Sequence, residues 1–519
     1  MTTGSRIGPD TAIVRRRFDA VLGLVIALGA AVRFVGIGAQ SLWYDEVSTR
    51  VIVTTPIAHL FNEVRIREGT PPLYYALAAV WTRVVGTDDA KLRSFSAIVG
   101  TLAIPVVYAV VRELGLTRRA ARIAASLVAV NPFLVWYSQE ARAYSLLVLC
   151  AALTMLAFAR AWTLGRTIDC WYFGAAAALA LAVHYFALFF VAPATIALLI
   201  ERRGSWRRVL AGLIPLGVVA TPLGFLALDQ QSHNLQQWIG DWSLEFRLRE
   251  SGRHLLIGPI APRAWLWVVV AGAGLIGIGL AVGASDRLTR HTARVLIAIG
   301  TSAALLPALT AAVDSDYFLD RNVIAALVPL TIAVAIGLGG VRARTLGSVA
   351  VVGVMAVSIT TTVAVSRDRD LQRADWRAIS GVIARHHGRQ LVVMNRNRVL
   401  GSTMSRYLPP TRELSSHAIV KTRDVVFIGL GSVPGLCAWW FGHACSIVYL
   451  SERPQVPLPR SFHLVHIDHV GRFTLARYRS ASAARLGLRT LVTPQDRAGS
   501  MVLVVIPAVS HSGAPARSR

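Results

Sequence analysis

Two stretches decide the fold: SLWYDEVST (41–49) and NPFLVWYSQEARAYS (131–145). Each lies at the end of an apolar run, 19–38 and 119–138, and each sets aromatic residues beside carboxylates. Aromatics at the edge of a span of about 20 apolar residues mark a chain leaving a membrane. Working outward, similar windows fall at 93–111, 143–162, 209–228, 264–284, 293–313, 322–340 and 345–365. A chain of 519 residues with 54% apolar and 16% charged residues is too apolar for an ordinary soluble domain, and its mean hydropathy is +0.53. Disorder and a disulfide scaffold are excluded by that apolar content and by only four cysteines.

Two segments need a choice. Residues 71–86 are short and carry Arg83, while 171–200 is long and broken by His184 and Pro193. A cytoplasmic N-terminus bearing Arg15, Arg16 and Arg17, a non-crossing 71–86 and two short spans meeting near His184 give about eleven crossings. Arg112, Arg118, Arg119, Arg122, Arg160 and Arg166 then face the cytoplasm, the positive-inside pattern. Arg33 and WYDE follow the first apolar run where a cleavage site would stand, so the first helix is expected to be retained. The formal charge of +26 does not indicate nucleic acid: Lys91 and Lys421 are the only lysines, and the arginine skew reads as base composition of the gene.

The expected fold class is a polytopic α-helical membrane protein, N-terminus inside and C-terminus outside, with a C-terminal extracytoplasmic α/β domain. Residues 1–365 form the transmembrane part, with a first outer loop at 39–92, and residues 366–519 the soluble domain, with a disordered tail from about 510. That domain opens on the amphipathic stretch 375–387 and continues with short apolar runs at 390–394, 424–429, 463–467 and 500–506. Cys437 and Cys445 fall in it and either pair in the oxidising compartment or stay as buried thiols. Its 22 basic against 8 acidic residues suit either a solvated basic surface or anionic lipids and envelope polymers.

An ion-coupled transporter would place acids within its spans; here they gather at outer loops and span ends. Asp45 and Glu46 follow Trp43 and Tyr44, and a carboxylate at the hydrocarbon edge suits proton abstraction from a hydroxyl. The alternative is a helix cap beside a solvated acid. Glu140 and Arg142 form either an ordinary ion pair or part of a cavity. Arg321, with Tyr317 nearby, can hold a phosphate at headgroup depth or snorkel to lipid. His184 and Tyr185 occupy the proposed hairpin, where a lone histidine is more often structural than a metal ligand. Trp238, among amides and acids at 236–242, is either a sugar contact or an interfacial anchor. No Walker loop, nucleophile elbow or zinc spacing is present.

Taken together the segments resemble the polyprenyl-phosphate-sugar-dependent glycosyltransferases of the GT-C superfamily, near family 39, with its protein mannosyltransferases and aminoarabinose transferases. The resemblance rests on LWYDE (42–46), PPLYY (71–75), the segment 92–114, NPFLVWYSQEARAYS (131–145), HY (184–185), YFLDR (317–321) and DW (375–376), in family order. It implies sugar transfer, with inversion, from a polyprenyl-phosphate donor to an extracytoplasmic glycan, lipid or protein hydroxyl, mannose being the expected sugar and arabinose the next. Asp45 would be the general base, supported by Glu46. Glu140 and Arg142 would line the cavity, and Arg321 and Tyr317 would sit near the lipid phosphate. Arg142 or a divalent cation would share the departing charge with Arg321; metal ligands are not identified. Tyr44, Tyr74, His184, Tyr185, Trp238 and Asp375 would be further substrate contacts. Family members often carry His before the proline pair, where this chain has Thr70. The expected location is the inner (plasma) membrane, with site and C-terminal domain on its outer face and membrane lipids as partners. The competing class is a flippase that moves a lipid-linked saccharide without forming a glycosidic bond.

Overall fold

The computed structural model describes residues 19–506 apart from 234–238, 240–241, 264, 285, 312–315, 341–343, 386–389, 396–405, 409–411, 415–417, 431–457, 472 and 492–500. Trp238, Cys437, Cys445, Arg15 to Arg17 and the expected tail lie outside the described residues.

Helix α1 (Ala20–Phe34) leads into a segment holding three short helices, α2 (Tyr44–Thr54), α3 (Ile57–Arg67) and α4 (Leu73–Val85), before the long α5 (Asp89–Glu113). The next apolar run, expected as one span at 119–138, is bent by 55° between α6 (Arg118–Val130) and α7 (Pro132–Ser138). Pro132 has no N–H, so the carbonyl one turn before it loses its helical partner. Arg33 supplies the replacement: its guanidinium donates to Val128 O at 3.0 Å and Ala129 O at 2.7 Å, and to Ser138 Oγ beyond the bend at 3.1 Å. A fully buried arginine in the first apolar helix thus locks the bend of another. Arg33→Leu should leave these acceptors unpaired and cost about 2–5 kcal/mol. A lowered melting temperature in detergent, with partial recovery in Arg33→Lys, checks this.

Helix α8 (Tyr144–Leu164) and α9 (Thr167–Val183) pair closely, and α9 stops at His184. A 3-10 turn (Tyr185–Ala187) then opens α10 (Leu188–Glu201), so the long 171–200 run is two helices as expected. Next come α11 (Trp206–Gly212), α12 (Ile214–Ser232), α13 (Leu244–Ile257), α14 (Leu266–Val282) and α15 (Arg287–Ala311). The single span expected at 209–228 is divided at Leu213 between α11 and α12. A 3-10 turn (Asp320–Ala326) runs into α16 (Leu327–Leu338), followed by α17 (Arg344–Arg367). By length and composition five described helical segments can cross a membrane, or seven if each of two bent pairs is one span. Four further apolar helices, Ala20–Phe34, Leu73–Val85, Thr167–Val183 and Leu266–Val282, are shorter. Where α14 and α16 cross, a Cβ on Gly337 would sit 1.8 Å from Gly277 O, so only glycine allows this approach. Outward faces of α14 and α17 are apolar and uncovered, with Leu275, Val349 and Val352 at 65–70% exposure, as lipid contact requires.

Beyond α17 the chain forms α18 (Trp376–Ala384) and a six-stranded sheet: β1 (Gln390–Asn395), β2 (Arg412–Leu414), β3 (Ile419–Leu430), β4 (Phe462–Val470), β5 (Phe473–Gly487) and β6 (Met501–Ile506). Strand order is β2-β6-β1-β3-β5-β4, with β1 and β3 parallel and the other neighbours antiparallel. Alternation divides the strand residues between two cores. Val392, Val426, Ile428 and Leu475 face Trp376, Ile379 and Ile383 of α18, while Leu391, Val393, Val425, Phe427 and Tyr478 line the other face. The apolar runs of the sequence correspond to β1, β3, β4 and β6, so the expected α/β character holds. The 15-residue β5 is not marked by such a run, because Arg477, Arg479 and Arg485 interrupt it.

This domain is tied to the segment before α2. Ser41 Oγ donates to Ala374 O and accepts from Trp376 N, both at 3.0 Å. Tyr407 Oη donates to Asp89 Oδ2 at 2.6 Å and accepts from Leu42 N at 2.7 Å. Arg377 also reaches Asp89, at 2.5 Å.

Candidate active site

The site grows from the first turn of α2. Trp43 is its N-cap position, and Glu46, three residues on, accepts from Trp43 N at 3.3 Å. The turn therefore presents Asp45 in the first turn of a helix.

Four carboxylates and four guanidiniums meet here, each acid with one nearest arginine, and Arg373 also lies 3.9 Å from Glu46. Glu46 receives two hydrogen bonds from Arg93, both at 2.6 Å, and a third from Ala141 N at 3.0 Å. Arg93 spends its remaining donors on the carbonyls of Ile37, Gln40 and Ser41, at 2.9, 2.7 and 3.0 Å. Glu68 is held by Arg142 in a two-bond fork at 2.8 and 2.9 Å. Glu140 pairs with Arg373 at 2.5 Å. Asp45 pairs with Arg321 at 3.3 Å, and this pair differs from the others. The first three are closed off, whereas Arg321 and Asp45 keep side-chain exposures of 17% and 18%. Trp43 and Tyr144 flank the Arg321 guanidinium with ring centroids at 5.8 and 5.9 Å, holding it in place while its edge stays reachable.

The electrostatics follow from this pairing. Burial would raise the Glu46 carboxyl, yet Arg93 outweighs it, with Arg373 adding to the effect, and the group is held below its usual value. For Glu140 burial wins over Arg373, and the carboxyl is pushed up to about 7.

Asp45 and Arg321, 276 residues apart in sequence, are thus brought into contact. Glu46 is enclosed and has its oxygens filled, so it anchors the loop that presents Asp45. Glu140 and Arg142 are enclosed as well. Their expected ion pair is replaced by two different ones, because each turns to a partner from another element. Tyr44 is half-buried at the start of α2, and Tyr317 is half-buried just before Arg321. Tyr74 is buried, its hydroxyl 3.1 Å from Ser96 Oγ, and Tyr185 donates to Gln230 at 2.8 Å. The His184 ring is buried 5.9 Å from that of Tyr144. Its Nδ1 accepts from Phe186 N at 3.2 Å, which leaves the proton of a neutral ring on Nε2. Asp375 caps α18, accepting from Ala378 N at 3.0 Å, which is a structural task.

Three network members escaped the sequence reading: Glu68, Arg93 and Arg373. Glu68 and Arg93 each stand within or beside motifs quoted for the resemblance, and their ionisable side chains next to apolar runs were the available signal. Arg373 lies in a polar linker and gave none. No group of three or more His, Cys, Asp or Glu side chains placed to hold a metal occurs among the described residues. Each acid of the site is occupied by a guanidinium, so the arrangement does not fit a resident divalent cation.

Residues 69–225 match the family described as dolichyl-phosphate-mannose-protein mannosyltransferase. This region includes PPLYY, WYSQEARAYS and HY but neither WYDE nor YFLDR. Among curated proteins none matches the sequence. Among solved structures the chain is similar to ArnT from Cupriavidus metallidurans bound to undecaprenyl phosphate, at 12% identity and a TM-score of 0.54, over 88% of this chain and 98% of that one. It is likewise similar to ArnT from the same organism in the apo state, at 13% identity and a TM-score of 0.53, over 92% and 100%. The resemblance to GT-C glycosyltransferases read from the motifs is borne out, and the chain has that fold, with a helical membrane part and a small sheet domain.

Proposed function

We propose that the protein is a multi-pass membrane glycosyltransferase that moves a sugar from a polyprenyl-phosphate donor to an acceptor hydroxyl. The observation that carries this reading is the single open acid–guanidinium pair, Asp45 with Arg321, set among three closed ones. Transfer needs a base for the acceptor hydroxyl and a cation for the departing phosphate, and this pair supplies both. An anionic phosphate competes with Asp45 for Arg321, so donor binding frees the carboxylate as it fills the guanidinium. Asp45 then takes the hydroxyl proton, the acceptor oxygen bonds to the anomeric carbon, and the carbon–oxygen bond to the phosphate breaks with its electrons leaving on the phosphate. Attack opposite the leaving group inverts the anomeric carbon. Asp45 is the proposed catalytic base and Arg321 the proposed phosphate contact. Tyr317 is the further proposed contact of the phosphate, and Tyr44 and His184 are further proposed substrate contacts.

An apolar cleft of about 230 Å³ opens between the ends of α1, α7 and α17, lined by Val32, Val35, Val135, Trp136, Ile260 and Val363 among others; Asp45 and Arg321 are not part of its lining. The family match supports a phosphoprenyl mannose donor, and mannose is the sugar proposed. The proposed topology keeps eleven crossings, with the site, the sheet domain and the acceptor outside the plasma membrane.

The deciding experiment presents membranes containing the full chain with a panel of radiolabelled polyprenyl-phosphate sugars and envelope extract as acceptor. Sugar bonded to acceptor from one donor supports the proposal and identifies the sugar. If label crosses the bilayer without a new glycosidic bond, the flippase reading replaces it.

A further inference from the structure

Arg373 is the one cation of the four pairs that does not come from the membrane part or its loops. It sits on the short segment between α17 and α18, and its side chain is almost wholly enclosed. The guanidinium lies 4.4 Å from the Trp136 ring centroid and 5.8 Å from that of Trp43, and Nη2 meets Glu140 Oε2 at 2.5 Å. Its backbone N donates to Gln40 at 3.1 Å, within the loop that leads to Asp45. The next residues carry the Ser41 contacts that dock the sheet domain. Among the described residues Glu140 Oε1 is buried with no hydrogen-bond partner, and Arg373 is the only cation bonded to this acid.

We propose that Arg373 is a positioning residue, delivered by docking of the sheet domain, whose charge lets Glu140 stay ionised beside the Asp45 loop. With all four pairs formed the cluster is neutral. Losing Arg373 leaves it one negative charge in excess, and the cheapest repair is a proton on Glu140. The groups acting on Glu140 are Arg373 from the linker, Glu46 and Asp45 from α2, and Arg321 from the turn before α16. Tyr74, Tyr137 and Tyr144 also face it, from α4, α7 and α8. Among these cations Arg321 is committed to Asp45, so nothing replaces Arg373.

The sign of the pH effect follows. With Arg373 in place the buried Glu140 carboxyl stands at about 7, and removing Arg373 moves it higher. Below about pH 7 wild type and Arg373→Met both carry neutral Glu140, so the charge of this acid adds nothing to the difference between them. Above it the wild-type acid ionises and pairs, while the variant must keep its proton or strand a buried charge. The variant therefore falls behind as pH rises.

The inference rests on the transferase reading for one of its two readouts only. Sugar transfer by Arg373→Met is expected within about threefold of wild type near pH 6 and about 30-fold lower near pH 8.5, one proton allowing at most tenfold per pH unit. Melting temperature in detergent, which needs no substrate, should show a gap to wild type that widens over the same range. The double variant Arg373→Met with Glu140→Gln should lose both pH dependences, since a neutral amide needs no counter-ion. A deficit equal at every pH, or a melting deficit at high pH that the double variant does not relieve, overturns the inference. Widening of the melting gap in a protein that transfers no sugar supports it and sinks the transferase reading instead.

Discussion

Asp45→Asn is expected to lower sugar transfer by about 10²- to 10⁴-fold, the usual worth of a positioned general base. The change keeps the side chain's shape. The amide oxygen can still accept from Arg321, and its place in the first turn of α2 is unaltered. What disappears is the ability to take a proton from the acceptor hydroxyl. Because Asp45 is partly exposed and Glu46 does the anchoring, expression and melting temperature should stay near wild type. Transfer at unchanged rate by a well-folded Asp45→Asn protein would remove Asp45 from the chemistry. The companion change Arg321→Met should cost about 10²- to 10³-fold, through loss of charge at the leaving phosphate. It should also raise the apparent KM for the lipid donor, whereas Asp45→Asn acts mainly on kcat.

Arg93→Met should produce the largest effect on the protein itself. The substitution strands Glu46, which is wholly buried, and removes the donors that hold the carbonyls of Ile37, Gln40 and Ser41. Breaking a buried ion pair from one side costs about 3–5 kcal/mol, a large part of the stability of most folds. Little folded protein is expected, as read by size-exclusion profile and melting temperature. Arg93→Met combined with Glu46→Gln should recover part of the loss, since the remaining polar group is neutral and Ala141 N can still donate to it. A double variant no better than Arg93→Met would show that the carbonyl contacts, rather than the stranded charge, dominate.

These two expectations separate neighbouring acids that look alike in the sequence. In WYDE both follow the same aromatics, yet one closes into the protein and one opens to the site. On a helix successive residues point about 100° apart, so adjacent acids at a helix start cannot share an environment. Which one faces inward depends on where Arg93, 47 residues further on, reaches the turn. The same holds for QEAR: Glu140 and Arg142 could have paired with each other, but Arg373 and Glu68 are better placed. In the sequence 119–138 reads as one span, and neither the bend at Pro132 nor its partner, Arg33, was read from it.

By itself the sequence determined that the chain is a helical membrane protein with an α/β domain at its end. It also marked the motifs around which the site is built. Hydrophobic periodicity and composition are properties of short windows, so they survive without knowledge of the fold. Tertiary structure alone decided which acid meets which arginine, that the Asp45–Arg321 pair is the open one, and that a linker residue completes the network. Such pairings join residues 47 to 276 positions apart, and for buried charges the balance of desolvation against a partner's field is set only once the helices have packed.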